Sequence, residues 1–319
     1  ASAMPLGLVA VPDSPYQTGA HGVYRPCAHT DRGKTMKRSP YGNRVLITGV
    51  TGGIGLAIAD LFIQNGFRVA GCSRHKSETL PEGLSWFSMD VCNDDSVRMC
   101  VEQAVQALGG IDILIHCAGM GIGGSVEDVS PEELMHQLDV NTLGFIRTAR
   151  AVLPGMRAQH RGLLLPISSI AGFISIPYQS SYSASKFALE ALVQALRMET
   201  KPFGIQACLI EPGDTKTGFT GARKLCAQVQ PCYQAPMTAA ISKMEQDEQQ
   251  GKSPDTVAKT ALKLAYCSHV PIRRAVGASY RTIRILCKLL PDRLAEFIVR
   301  RLYLHNGSPK GETVKAPSR

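Results

Sequence analysis

The sequence predicts an α/β protein built on a doubly wound parallel sheet, a single domain with a C-terminal helical extension. Two observations carry that prediction. Short apolar segments alternate with helically spaced ones from Arg44 to Ile210, the order that parallel strands joined by crossover helices require. The first of those strands also runs directly into a glycine-rich turn and a helix. At 319 residues and 44% hydrophobic content, the chain can bury the core such a sheet needs.

Residues 1–43 are rich in Pro and Gly and lack periodicity, so they read as a disordered leader. Its apolar run from Met4 to Pro12 is short for a secretory signal and has no basic flank. Met36, just before the first strand, is a candidate natural start, which would make 1–35 upstream sequence. Strands are predicted at 44–48, 67–72, 86–89, 111–116, 162–167 and 205–210. The turn Gly49-Val50-Thr51-Gly52-Gly53-Ile54-Gly55 leads into a helix at 56–65 that Gly66 stops. A second helix spans 94–108. A third opens on Pro131 at its first turn and runs through Asn141 towards Arg150. A long helix carrying Tyr182 follows the fifth strand. Beyond Pro212 the pattern loosens, and 214–252 reads as a long irregular segment of the kind that covers a substrate. Ser253 caps a helix through Cys267, and 274–277 is a last strand. Residues 279–304 form an amphipathic helix that Pro291 splits.

The ten cysteines follow no paired spacing, which predicts reduced, buried thiols in a cytoplasmic protein and neither a disulfide framework nor a metal site. No apolar run reaches the length of a membrane span. The formal charge of +9 gathers late in the chain, at Arg273, Arg274, Arg281, Arg284, Lys288, Arg293, Arg300 and Arg301. That is either a solvated basic face or a surface for a membrane or an anionic ligand. Nucleic acid is not expected, because no recognition motif accompanies the charge.

Tyr182 and Lys186 are four residues apart and so share one helix face. With Ser169 at the end of the fifth strand, they bring a phenol, an ammonium and a hydroxyl together, a set suited to carbonyl–alcohol chemistry. Alone, such a pair also fits a packed ring beside a solvated amine. The glycine turn likewise suits either a phosphate cradle or close packing of strand on helix.

Taken in order, Thr48-Gly49-x-x-x-Gly53-Ile54-Gly55, Cys117-Ala118-Gly119, Asn141, Ser169, Tyr182, Lys186 and Pro212-Gly213 resemble the short-chain dehydrogenase/reductase family, in its single-domain Rossmann-type form, over residues 44–278. The resemblance implies that Tyr182 is the general acid in reduction and the base in oxidation. Lys186 would bind the nicotinamide ribose and lower the Tyr182 pKa. Two unit charges about 4 Å apart at an effective dielectric of about 20 interact by roughly 4 kcal/mol. That is about three pKa units, which would bring the phenol near neutrality. Ser169 would hold the substrate oxygen, Asn141 a water reaching Lys186, and Ser168 would cap backbone.

Gly49, Thr51, Gly52, Gly53, Ile54 and Gly55 would face the pyrophosphate, and Asp90 and Val91 the adenine. Cys117, Ala118 and Gly119 complete that wall. Pro212, Gly213 and Thr215 would meet the carboxamide, and Thr217 would close over the phosphates. At the end of the second strand stands Ser73-Arg74-His75-Lys76, without the carboxylate that selects NAD. Arg74, helped by Lys76, can pair with a 2′-phosphate, so NADP(H) is the expected cofactor. The alternative is a solvated basic loop.

The chain departs from the family where Asn-Asn-Ala-Gly reads His116-Cys117-Ala118-Gly119, which removes amide contacts that brace the strand, and at Thr215, where Val or Ile is usual. His116 reads as a core histidine. Ile176-Pro177-Tyr178, Glu211-Pro212-Gly213 and Leu290-Pro291-Asp292-Arg293 point to the subgroup of 17-beta-hydroxysteroid, retinol and acyl-dihydroxyacetone-phosphate oxidoreductases. That implies an apolar carbonyl or alcohol substrate and a homodimer or homotetramer. Segment 279–304 would lie on a membrane, cover the cleft or pack against a neighbouring subunit. The rival functional readings are an idle nucleotide-binding sensor or scaffold, and a peripheral membrane protein.

Overall fold

The computed structural model describes residues 38–304. The strand β1 (Arg44–Thr48), the helix α1 (Gly53–Gln64), β2 (Arg68–Ser73), β3 (Ser85–Ser88), α2 (Asp94–Leu108), β4 (Ile113–His116) and the short β5 (Ile122–Gly123) form the first half. Then come α3 (Pro131–Leu138), a π-helical turn at Asp139–Leu143, α4 (Gly144–Ala158), β6 (Gly162–Pro166), α5 (Ser180–Thr200), β7 (Ile205–Ala207) and β8 (Leu209–Glu211). The remainder is α6 (Phe219–Ala222), β9 (Lys224–Leu225), α7 (Pro231–Gln249), α8 (Pro254–Ala265), β10 (Arg273–Ala275), α9 (Ala278–Leu289) and α10 (Asp292–Leu304).

The main sheet is parallel throughout, in the order β3-β2-β1-β4-β6-β7. Strand order reverses between β1 and β4, which opens a crevice at the carboxyl ends of those strands. The predicted sixth strand is interrupted at Cys208, whose amide bonds Leu164, and its second part pairs with β10. Successive side chains of a strand point to opposite faces. Val45 and Ile47 therefore join the layer of α1 and α8, while Leu46 joins the layer of α2, α4 and α5. Leu163 and Leu165 divide from Leu164 in the same way. Helix ends follow the sequence: the Asn93 side chain accepts from the Ser96 amide, and Ser130 with Glu133 forms a capping box.

Two expectations change. The stretch from residue 38 to 43 belongs to the fold, since Tyr41 is buried and the Ser39 hydroxyl donates to the Ala265 carbonyl at 2.7 Å. The rest of the expected leader, with Met36, lies outside the described residues. Segment 214–252 is not irregular: it contains α6, β9 and the 19-residue α7. Pro236 inside α7 reads as a breaker, and the polar run 245–250 blunts the apolar signal. The buried positions Met237, Ala240, Ile241 and Met244 nonetheless carry helical spacing.

Candidate active site

The crevice at the switch point is a cleft of about 850 Å³. Every residue that the sequence assigns to the cofactor lines it, as do Ser169, Tyr182 and Lys186; Asn141 stands behind its wall. The glycine turn is built by close approach. Gly49 has φ +71°, and a β-carbon at Gly55 would stand 2.1 Å from the Gly49 carbonyl oxygen. Gly52 makes no side-chain cap for α1, and a β-carbon there would meet open space. The first-turn amides of α1 thus face the cleft without a side-chain acceptor, as an anion site requires.

Thr48, at the end of β1, braces the His116-Cys117-Ala118 stretch. Its hydroxyl accepts from the amides of Cys117 at 3.1 Å and Ala118 at 3.0 Å, and pairs with Nδ1 of His116 at 3.1 Å. His116 is buried, edge-on to Phe145, and its pKa falls to about 3 through burial and then the nearby Lys186. It is a core histidine held neutral.

Asn141 sits in the π-helical turn, a local widening that re-aims a side chain and recurs at functional sites. Its Oδ1 accepts from the Met120 amide at 2.8 Å, and its Nδ2 donates to the Met120 carbonyl at 2.9 Å and to Ser185 Oγ at 3.0 Å. A β-carbon on Gly119 would lie 3.3 Å from Asn141 Oδ1 and 3.9 Å from Lys186 Nζ, so the amide and the ammonium face one small space. Lys186 is buried and donates to the Ile167 carbonyl at 2.9 Å. Burial lowers its pKa to about 8 against the opposing influence of Cys117 and Glu190.

Ser169 caps the turn at Ile170–Gly172 by accepting from the Ala171 amide at 3.1 Å, and it hydrogen-bonds the Tyr182 phenol. The capping role expected of Ser168 therefore belongs to its neighbour. Ser168 Oγ is buried and, among the described residues, has no partner. The expected depression of Tyr182 is reversed. Burial raises its pKa to about 12, the Ser169 bond opposes that rise, and the Lys186 ammonium is 5.7 Å from the ring centroid, turned onto Ile167. Desolvation of the phenolate outweighs a cation at that distance.

On the cofactor side, Arg74 is exposed at the cleft, whereas the Ser73 hydroxyl is engaged, donating to the His75 carbonyl and accepting from Trp86 Nε1, each at 2.8 Å. Asp90 Oδ1 accepts from the Cys92 amide at 2.9 Å. Thr215 donates to the Gly213 carbonyl at 2.8 Å, and Thr217 lies over Gly53.

The roof comes from 214–252 and 279–304, the two segments that read as cleft covers, and the structure supplies the side chains that enter it. Phe219 packs on Tyr182 with ring centroids 5.7 Å apart. Tyr303 of α10 joins Ala171, Ile176, Ala240, Met244, Tyr178 and Tyr182 in one apolar cluster, and both Tyr303 and Glu248 line the cleft. Glu248 accepts from Thr220 at 2.5 Å and pairs with Arg223. Tyr280 of α9 donates to Asp214 Oδ2 at 2.6 Å and covers Gly213, where a β-carbon would stand 2.0 Å from its ring. Arg284 binds the buried Glu211 and lies 4.8 Å over the Phe173 ring. Burial and the neighbouring Glu190 raise the Glu211 pKa to about 7. Of the alternatives for 279–304, α10 reaches the cleft through Tyr303, and α9 packs against the wall behind it at Gly213 and Asp214. No described helix is long and apolar enough to cross a membrane.

A parallel sheet with a glycine turn at its switch point and a Ser–Tyr–Lys group at its strand ends defines a nucleotide-dependent oxidoreductase fold. The family model described as short chain dehydrogenase matches residues 43–225, and the chain belongs to that family. It is 38% identical over 263 residues to a 3-ketodihydrosphingosine reductase of Bacteroides thetaiotaomicron, covering 81% of this chain and 97% of that protein. It is 30% identical to retinol dehydrogenase 8 of Bos taurus, covering 78% and 86% of the two chains. Among solved structures, a short-chain dehydrogenase from Streptomyces avermitilis superposes with a TM-score of 0.70 at 27% identity, over 83% of this chain and 98% of that one.

Proposed function

We propose that the protein is an NADP(H)-dependent reductase that converts an apolar, lipid-like ketone to its alcohol. One observation carries this reading: the Tyr182 phenol, hydrogen-bonded to Ser169 beside the buried Lys186, lies under an apolar roof of Phe219, Met244 and Tyr303.

The residues present fit the cofactor. The amides at the start of α1 and the side-chain-free surface of Gly52 suit a pyrophosphate, and exposed Arg74 suits a 2′-phosphate. Asp90 and Val91 would flank the adenine, and Cys117, Ala118 and Gly119 would form the wall beside it. Pro212, Gly213 and Thr215 would meet the carboxamide, with Thr217 over the phosphates. When bound, the nicotinamide supplies the hydride.

Ser169 orients the substrate oxygen, and Tyr182 donates the proton to it. A phenol raised to about 12 keeps its proton at neutral pH, the state that the acid role in reduction requires. Lys186, cationic below about pH 8, stabilises negative charge developing at that oxygen, and Asn141, which faces the same small space at Gly119, would hold the water through which Lys186 exchanges its proton.

The relatives support the substrate class, since two of them are named for 3-ketodihydrosphingosine and retinol. Exposed Leu143, Phe187, Leu192 and Met198 offer a face for the expected homodimer or homotetramer. The nine described cysteines are free, which suits the reducing cytoplasm. The test is NADPH oxidation against ketones of increasing chain length. The rate should rise with chain length, and Arg74→Ala should weaken NADPH binding far more than NADH binding. A preference for small polar ketones would overturn the substrate class, and equal losses of both nucleotides would overturn the role of Arg74.

A further inference from the structure

The two C-terminal helices carry apolar residues on the side away from the cleft as well. Tyr280, Arg284 and Cys287 of α9, and Ala295, Val299 and Tyr303 of α10, are partly buried and spaced as one face of each helix, and the terminal Leu304 is partly buried as well. Ile283, Ile285, Leu286 and Leu289 of α9, with Leu294, Phe297, Ile298 and Leu302 of α10, are exposed, from 37% at Ile283 to 75% at Leu289. These are eight of the eighteen exposed large hydrophobic residues of the described chain, although the helices are only 12 and 13 residues long. An exposed apolar face of that kind on each helix marks an interaction site.

Charge identifies the partner. Arg281, Lys288, Arg293, Arg300 and Arg301 are exposed on the same two helices, and among the described residues none of them forms an ion pair. Asp292 and Glu296 are the only acids of these helices, against six basic residues with Arg284 included, a net charge of +4. A second copy would bring the same positive charge against itself in a two-fold contact. A bilayer with anionic headgroups meets both demands, taking the apolar side chains at its acyl boundary and the cations at its phosphates.

We propose that α9 and α10 dock lengthwise on an anionic membrane surface. Because Tyr303 of α10 lines the cleft and Tyr280 of α9 packs on Gly213 in its wall, docking seats the roof of the site at the bilayer.

Flotation of the full chain with phosphatidylcholine vesicles, and with vesicles about one-third phosphatidylglycerol, tests this. The protein should float with the anionic vesicles and far less with the neutral ones. Arg300→Gln with Arg301→Gln should weaken binding to anionic vesicles about twenty-five-fold, at roughly fivefold per charge. Leu289→Ser with Phe297→Ser should weaken binding to both kinds. All four side chains face solvent, so each variant should keep the wild-type circular dichroism spectrum. Wild-type protein that does not float, or variants that float as the wild type does, would overturn the proposal. An oligomer that the Leu289→Ser, Phe297→Ser pair dissociates, with no flotation of either protein, would assign the face to a second copy instead.

Discussion

The floor of the cleft and the layer behind it are strand ends and the helical turns beside them, whose side chains bond to backbone, whereas the roof hangs on ion pairs and aromatic contacts between side chains. On the floor, Thr48 holds two amides and Asn141 clamps both polar groups of Met120, while Lys186 is fixed on the Ile167 carbonyl. Overhead, Arg284 reaches Glu211, Tyr280 reaches Asp214 and Arg223 reaches Glu248. Backbone positions follow from the sheet and tolerate little change, but side-chain pairs can be exchanged one at a time. The difference assigns the chemistry to the floor and the choice of substrate to the roof.

That division can be broken at several points. Lys186→Met removes the buried cation from the floor and should cost on the order of 10²–10⁴-fold in turnover. In the wild type, kcat/KM should fall as pH rises through about 8, where Lys186 loses its charge. An unchanged pH profile in the variant would detach Lys186 from the chemistry. Thr48→Val leaves the Cys117 and Ala118 amides and the His116 ring without their shared partner, and should destabilise the fold by about 1–3 kcal/mol in chemical denaturation.

Glu211 probes the join between floor and roof. Its folded pKa of about 7 stands above the ordinary 4.5, so the folded state holds the proton more tightly. Its contribution to stability is complete below about pH 4.5 and is lost as pH rises through 7. Glu211→Gln should flatten stability between pH 5 and 8 by an amount on the order of 1–3 kcal/mol. The smallest effect belongs to the roof alone. Tyr303→Ala should raise KM for a long-chain ketone by up to about tenfold, with kcat nearly unchanged. A loss in kcat equal to that of Lys186→Met would erase the distinction.

The floor was legible in the sequence because its residues are local to strand ends and glycine turns. Gly49 to Gly55, Ser169, Tyr182 and Lys186 follow from recognisable strands or a single helix face, whereas Asn141 comes only from its place in the family's motif order. The π-helical turn under Asn141 was not legible, since a one-residue widening leaves no mark on apolar periodicity. Nor was the protonation of Tyr182, which depends on how the surrounding elements close around a phenol. The roof was largely hidden. Tyr303 reaches the cleft from more than a hundred residues away in the chain, and α7 was concealed by Pro236. Thr48 stood in plain view beside the glycine turn, but its bonds to Cys117 and Ala118 depend on the pairing of β1 with β4, which the sequence does not show.

The most direct test of the account is Tyr182→Phe, assayed for NADPH-dependent ketone reduction and, separately, for NADPH binding by fluorescence. The ring and its packing on Phe219 are retained, and only the proton donor is lost. Turnover should fall by about 10²–10⁴-fold with the nucleotide affinity nearly unchanged. Undiminished turnover would contradict the assignment of Tyr182 as the acid.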